Sequence, residues 1–194
     1  MAGPLPQTLG GPLRPIRQNF KGNLKLTNMK HQANFTKAAN GKELIVTRAF
    51  DAPVEKVWKA WTVPHILDKW WAPGPWKNET KSLDFRPGGL WLYSMVGPNG
   101  DRHHCRVEFK AVDPQHSFKA DSMFCDEHGT PNTNLPVMHW HTIFSATATG
   151  SKIDVTIGFD KESDLNTIVE MGFEAGFSMG LNNLDGVLEG ALAV

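Results

Sequence analysis

Between residues 77 and 159 the chain repeatedly alternates apolar and polar side chains, and after residue 163 that period gives way to another. Ile153, Val155, Ile157 and Phe159 alternate with Asp154, Thr156 and Gly158. Cys105, Val107, Phe109 and Ala111 alternate with Arg106, Glu108 and Lys110, and Trp91, Tyr93 and Met95 share a further face. Period two puts one set of side chains on each face of a strand, so these runs predict antiparallel strands with one buried and one wet face. Turn residues punctuate them: Arg86-Pro87-Gly88-Gly89, Gly97-Pro98-Asn99-Gly100, Asp113-Pro114, a polar loop over 126–135, and Gly150-Ser151. Strands are thereby expected over 77–85, 90–96, 102–112, 116–125, 137–149 and 152–159.

The terminal segment reads differently. Phe173, Phe177, Leu181, Leu184 and Leu188 fall at i, i+4, i+8, i+11 and i+15, the stripe of an amphipathic helix. One helix from about 164 to 191, capped by Ser163, is expected. At ~1.5 Å per residue it can lie across a sheet. Ahead of the strands, ELIVTRAF (43–50) is a short β run. Asp51 and Pro53 then signal a helix start, and Val54, Val57, Trp58 and Trp61 make one helical stripe. Val63-Pro64 breaks it, and residues 65–71 form a second short helix. The expected fold is α+β: a curved antiparallel sheet wrapped on a long C-terminal helix, with two short helices after strand 1.

Charge narrows the partners. The net charge is zero over 194 residues, but residues 1–42 carry seven Lys or Arg and no acid, while the remainder holds 13 basic and 20 acidic residues. An acidic domain repels phosphate backbones, so no nucleic acid partner is expected. Segment 1–40 is rich in Pro and Gly without sustained apolar periodicity. It reads as a disordered or extraneous tail, a transit peptide or a mis-assigned start, with Met29 as an alternative start, and the folded domain is expected over 41–194. No run of apolar residues is long enough for a membrane span. Two cysteines in a chain without a secretory signal suggest a reducing, cytoplasmic setting.

Five of the seven tryptophans crowd into VWKAWTVPHILDKWWAPGPW (57–76). Trp58 and Trp61 share a helical stripe and are expected in the core. Trp70, Trp71 and Trp76 stand where the short helices meet the sheet, at a possible cavity mouth. Gly172, Gly176 and Gly180 form a row on the expected long helix. Each costs ~1 kcal/mol against alanine inside a helix, so the row means either close packing or room for a ligand.

Catalytic motifs are weak. Gly176–Gly180 reads GFSMG, which matches G-x-S-x-G, but it lies inside a helical run and no histidine follows His141. His139 and His141 share one strand face and could supply two ligands to a metal. Met138, Trp140, Thr142 and Phe144 form the more apolar face, which turns both histidines outward. No metal, cofactor or catalytic set is therefore expected. Cys105, on the inward face, is expected to be a buried thiol.

RAFDAPVEKVWKAWT (48–62), Trp70-Trp71, DFRPGGLWLY (84–93), Gly97-Pro98-Asn99-Gly100 and the terminal helix bearing Gly176-Phe177, Leu181, Leu184 and Leu188 together resemble one family. These are the bacterial proteins similar to the C-terminal domain of the activator of heat-shock protein 90 ATPase, within the START/Bet v 1-like (SRPBCC) superfamily. The resemblance implies a helix-grip fold with a hydrophobic cavity between sheet and C-terminal helix. It implies non-enzymatic binding of a small apolar molecule such as a lipid or polyketide. The alternatives are a co-chaperone module acting on a chaperone ATPase, and an enzyme of the polyketide cyclase or hydrolase type using cavity or histidine residues. The expected ligand-binding residues are Trp91, Tyr93, Met95, Phe109, Trp140 and Phe144 from the sheet, with Met171, Ala175, Gly176 and Met179 from the helix.

Overall fold

Eight strands form one curved antiparallel sheet in a computed structural model that describes residues 31–190. They are β1 (Asn34–Lys37), β2 (Glu43–Phe50), β3 (Lys77–Leu83), β4 (Leu90–Val96), β5 (Arg102–Asp113), β6 (Ser117–Phe124), β7 (Met138–Ala146) and β8 (Ser151–Gly158). From β3 to β8 each strand pairs with the next, giving the order β1-β2-β8-β7-β6-β5-β4-β3. The helices α1 (Val54–Thr62) and α2 (Pro64–Trp70) are inserted between β2 and β3, which lets β2 pair with β8 while β3 takes the far edge. The helices α3 (Glu162–Glu170) and α4 (Phe173–Gly190) complete the helix-grip arrangement. The six strands expected from 77 to 159 are all present.

Parity builds the core. Ile153, Val155 and Ile157 of β8 are wholly buried, as are Leu44 and Val46 of β2. On β7, Met138, Trp140, Thr142 and Phe144 turn inward while His139 is exposed and His141 half-buried. A register shift between Phe109 and Ala111 ends the alternation in β5. The extra residue flips parity, so Ala111, expected inward, is exposed, and Val112 packs against the core in its place.

Two expectations need correction. The sheet begins inside the segment read as tail: β1 pairs with β2, and Phe35 meets Phe177 edge-on with ring centroids 6.4 Å apart. Lys37 reaches Glu162 at 2.8 Å and Asn166 at 3.2 Å, which fastens β1 to α3. Residues 1–30 and the expected helix end at Ala191 lie outside the described residues.

The single terminal helix is in fact two. Gly172 adopts φ +93°, a left-handed conformation that glycine takes without steric cost and that commonly ends helices. Its N–H donates to Val169 O at 2.9 Å, and the chain restarts at Phe173. The first residue of α3 is Glu162, preceded by Lys161 with no side-chain cap bond, so Ser163 is not the cap. Beyond the break, Phe177, Leu181, Leu184 and Leu188 are buried as their spacing predicts, and Phe173 is half-buried against Phe177.

The far end of α4 is held by a buried charge. Arg48 of β2 is wholly buried, donates to Asn182 Oδ1 at 2.9 Å and pairs with Asp185. Burial raises the Asp185 carboxyl above its usual range, against the pull of the Arg48 charge.

Candidate functional site

Strands β4, β5, β6 and β7 present Trp91, Val107, Phe109, Phe118, Ala120, Ser122 and Trp140 on their inner face, and α1 and α2 lower Trp61 and Leu67 onto them, with Trp71 just past the end of α2. Between these side chains remains a cavity of about 20 Å³. Such a space holds about one water molecule, far below the ~300–1,000 Å³ of a formed ligand pocket. Aromatic rings fill the rest. Trp71 stands among Trp61, Trp70, Trp91, Trp140 and Phe177, with centroid distances from 5.2 to 6.1 Å, mostly in the edge-on or tilted geometry that ring quadrupoles favour.

The cavity lies under α1 and α2 rather than under α4, and this corrects the expected position. α4 packs Phe177 against Trp61, Trp71 and Trp140 and Phe173 against Trp140, but neither phenylalanine lines the cavity. Ala175 is exposed, and Met179 is half-buried outside the core cluster. Met171 follows the end of α3 and packs at the core's edge. A Cβ on Gly176 would meet Pro73 Cγ at 3.7 Å, ordinary contact away from the cavity. The glycine row therefore splits into separate jobs. Gly172 breaks the helix, and Gly180 lets α4 approach the end of α2, where a Cβ would stand 3.1 Å from Trp71 O and 3.3 Å from Trp70 O.

The sheet candidates divide as well. Trp91, Phe109 and Trp140 line the cavity. Tyr93 is buried behind Trp91, stacked on it at 4.1 Å. Phe144 is buried against Trp61 at 5.8 Å but does not line the cavity, and Met95 is half-buried toward the end of β4. Of the three mouth candidates only Trp71 stands at the cavity. Trp70 is 1% exposed, with its indole N–H donating to Ala60 O at 2.9 Å, so it is core. Trp76 packs on His103 at 4.9 Å and against Gly97, at the β4–β5 hairpin. Trp61, expected to be plain core, is a wall of the cavity. Leu67, Val107, Phe118, Ala120 and Ser122 were not singled out. Inward parity marked Val107, but nothing in a strand's alternation shows which stretch of its inner face stays uncovered.

Of the five indole N–H groups around the cavity, three find an acceptor and two do not. Trp71 Nε1 donates to Tyr93 Oη at 3.0 Å. Trp91 Nε1 donates to Thr80 Oγ1 at 3.1 Å, and that hydroxyl donates to Asp68 Oδ1 at 2.7 Å. The same carboxylate oxygen accepts from Thr80 N at 3.0 Å and Asn78 Nδ2 at 2.7 Å, which pins α2 to β3. By contrast, Trp61 Nε1 and Trp140 Nε1 are buried without a partner among the described residues. A buried donor left unpaired costs ~1–3 kcal/mol. Tyr93 and Cys105 stay protonated at any ordinary pH. Burial pushes the thiol up to about 12, and burial together with the neighbouring Cys105 raises the phenol.

The histidines sit elsewhere. His139 Nδ1 lies 2.7 Å from Asp121 Oδ1 on the outer face of the sheet. The GFSMG segment is internal to α4, where a nucleophile elbow's strand-to-helix turn has no place.

A protein from Arthrobacter aurescens, solved by NMR, is 28% identical over 80% of this chain and 91% of its own, with a TM-score of 0.76. Ms6760 from Mycobacterium smegmatis is 31% identical over 80% of this chain and 95% of its own, with a TM-score of 0.74. The AHSA1 protein from Silicibacter pomeroyi, at 19% identity over 76% of this chain and 97% of its own, shares the fold with a TM-score of 0.61. None of the curated proteins matches the chain. The family described as Activator of Hsp90 ATPase homolog 1-like protein matches residues 51–189, and the chain belongs to that family.

Proposed function

We propose that the protein binds a small apolar molecule, without transforming it, in the cavity between the sheet and the α1–α2 pair. The observation that carries this reading is the cavity itself. It is walled by Trp61, Trp71, Trp91, Phe109, Phe118 and Trp140, with Ser122 as the one hydroxyl of its lining. Apolar walls with few polar groups are the usual make-up of a ligand site. Among the described residues Ile143, 39% exposed, is the one large apolar side chain at the surface, so the chain's apolar chemistry is concentrated inside. The superfamily fold supports the same reading.

A ligand larger than water must displace a side chain, and Trp71 is the candidate. It is half-buried, follows the end of α2, and is tied to the sheet by the bond to Tyr93. Outward rotation of this indole would join the existing space to solvent. The test is organic-solvent extraction of the purified protein, with identification of what is released by mass, for wild type and Ala120→Val. Ala120 is 2% exposed and lines the cavity, so two added methyl groups fill it. A stoichiometric apolar compound from wild type, much reduced from a folded Ala120→Val protein, is expected. Equal recovery from both would place the ligand elsewhere.

A further inference from the structure

Three of the tryptophans around the cavity have matched indole N–H groups, and two do not. Trp70, Trp71 and Trp91 donate to Ala60 O, Tyr93 Oη and Thr80 Oγ1. Trp61 Nε1 and Trp140 Nε1 have no acceptor, although both residues are more than nine-tenths buried and both line the cavity. Their rings pack on Trp71 at 5.7 and 6.0 Å. Both also contact Phe177, at 6.3 and 5.4 Å. The two unmatched donors thus belong to rings in contact with Trp71, the residue proposed to move for ligand entry. Indole nitrogen donates and never accepts, so whatever satisfies these groups supplies an acceptor. No charged side chain lines the cavity, and an anion buried without a counter-charge is strongly disfavoured. The acceptor is therefore neutral.

We propose that the ligand taken up beside Trp71 carries a neutral carbonyl-type oxygen on an apolar frame, and that Trp61 Nε1 and Trp140 Nε1 recognise that oxygen. This rests on the ligand-binding reading above and adds the chemical class of the ligand. It also gives the two tryptophans a role in specificity beyond packing.

The test uses the full chain and two isosteric pairs in which a carbonyl oxygen is exchanged for a methylidene group. The pairs are acetophenone with α-methylstyrene, and 2-acetylnaphthalene with 2-isopropenylnaphthalene. Affinities are measured by titration while the indole N–H resonances of ¹⁵N-labelled protein are followed by NMR. The ketone of at least one pair is expected to bind about tenfold more tightly than its hydrocarbon partner, with the Trp61 and Trp140 resonances moving most; tenfold corresponds to ~1.4 kcal/mol. Trp61→Phe and Trp140→Phe should each bring the ketone-to-hydrocarbon affinity ratio close to one. Equal affinity within each pair would overturn the proposal and leave the ligand-binding reading standing. So would binding with those two resonances unmoved, which would mean that the donors serve a trapped water only. Failure of all four compounds to bind would overturn both.

Discussion

The indole of Trp71 donates to the phenol oxygen of Tyr93 across 3.0 Å, joining the end of α2 to the middle of β4. That bond spans the boundary between the α1–α2 pair and the sheet, beside a cavity that the surrounding rings almost close. Outward rotation of Trp71, the movement proposed for ligand entry, would break it.

Tyr93→Phe removes the acceptor and keeps the ring that stacks on Trp91. Loss of one hydrogen bond is expected to lower stability by ~1 kcal/mol. Stopped-flow tryptophan fluorescence should show faster uptake of an apolar ligand, because Trp71 swings out more readily. An unchanged urea midpoint together with an unchanged uptake rate would show that the bond holds nothing shut.

Gly176 and Gly180, one helical turn apart, predict substitutions of opposite sign. Gly176→Ala places its methyl at ordinary contact distance from Pro73 and should gain up to ~1 kcal/mol from helix propensity. Gly180→Ala drives a methyl to 3.1 Å from the Trp71 carbonyl oxygen. Backbone cannot rotate away as a side chain can, and overpacking typically costs ~1–3 kcal/mol. Thermal unfolding of the two variants checks this, and a Gly180→Ala protein more stable than Gly176→Ala would contradict the close approach of α4 to Trp71.

Asp68→Ala should cost about 3 kcal/mol, since one carboxylate oxygen serves Asn78 Nδ2, Thr80 N and Thr80 Oγ1. Asp68→Asn keeps an acceptor and should cost much less. Hydrogen exchange at Thr80 N–H gives the local readout: protection lost in the alanine variant and largely kept in the asparagine variant.

His141 predicts a pH effect. Burial, and then the Lys119 ammonium directly across the β6–β7 pair, lower its pKa from 6.5. The folded protein therefore binds this proton less readily than the unfolded chain does. Stability contributed by the neutral ring is full above about pH 6.5 and is lost as pH falls through the lowered value. His141→Gln should flatten the fall in melting temperature between neutral and mildly acidic pH. Parallel wild-type and variant curves would contradict it.

Much of the fold was legible because strand parity is local. Ile153, Val155 and Ile157 declare their face within one short stretch, and so do Met138, Trp140 and Phe144. The split at Gly172 was harder, because glycine in a helical stripe is either an interior residue with a penalty or the end of a helix, and only φ separates the two. The candidate site was half legible. Trp91, Phe109 and Trp140 follow from inward parity. Met171, Ala175, Gly176 and Met179 were placed by treating one face of an unbroken helix as the ligand face, whereas the break and the close approach at Gly180 set a different one. Trp61 was assigned to the core correctly, yet its position against Trp71 depends on how α1 and α2 fold back on the sheet. That docking is fixed by long-range contacts such as Asp68 with Thr80, which no period in the chain encodes.

The most direct test of the ligand site is a fluorescence titration of the full chain with 2-acetylnaphthalene, run beside Ala120→Val. Wild type should show a saturable, one-to-one change in tryptophan emission, lost in the variant while its far-ultraviolet circular dichroism and cooperative unfolding persist. A wild-type titration that never saturates, or an identical curve from Ala120→Val, would contradict the proposed site.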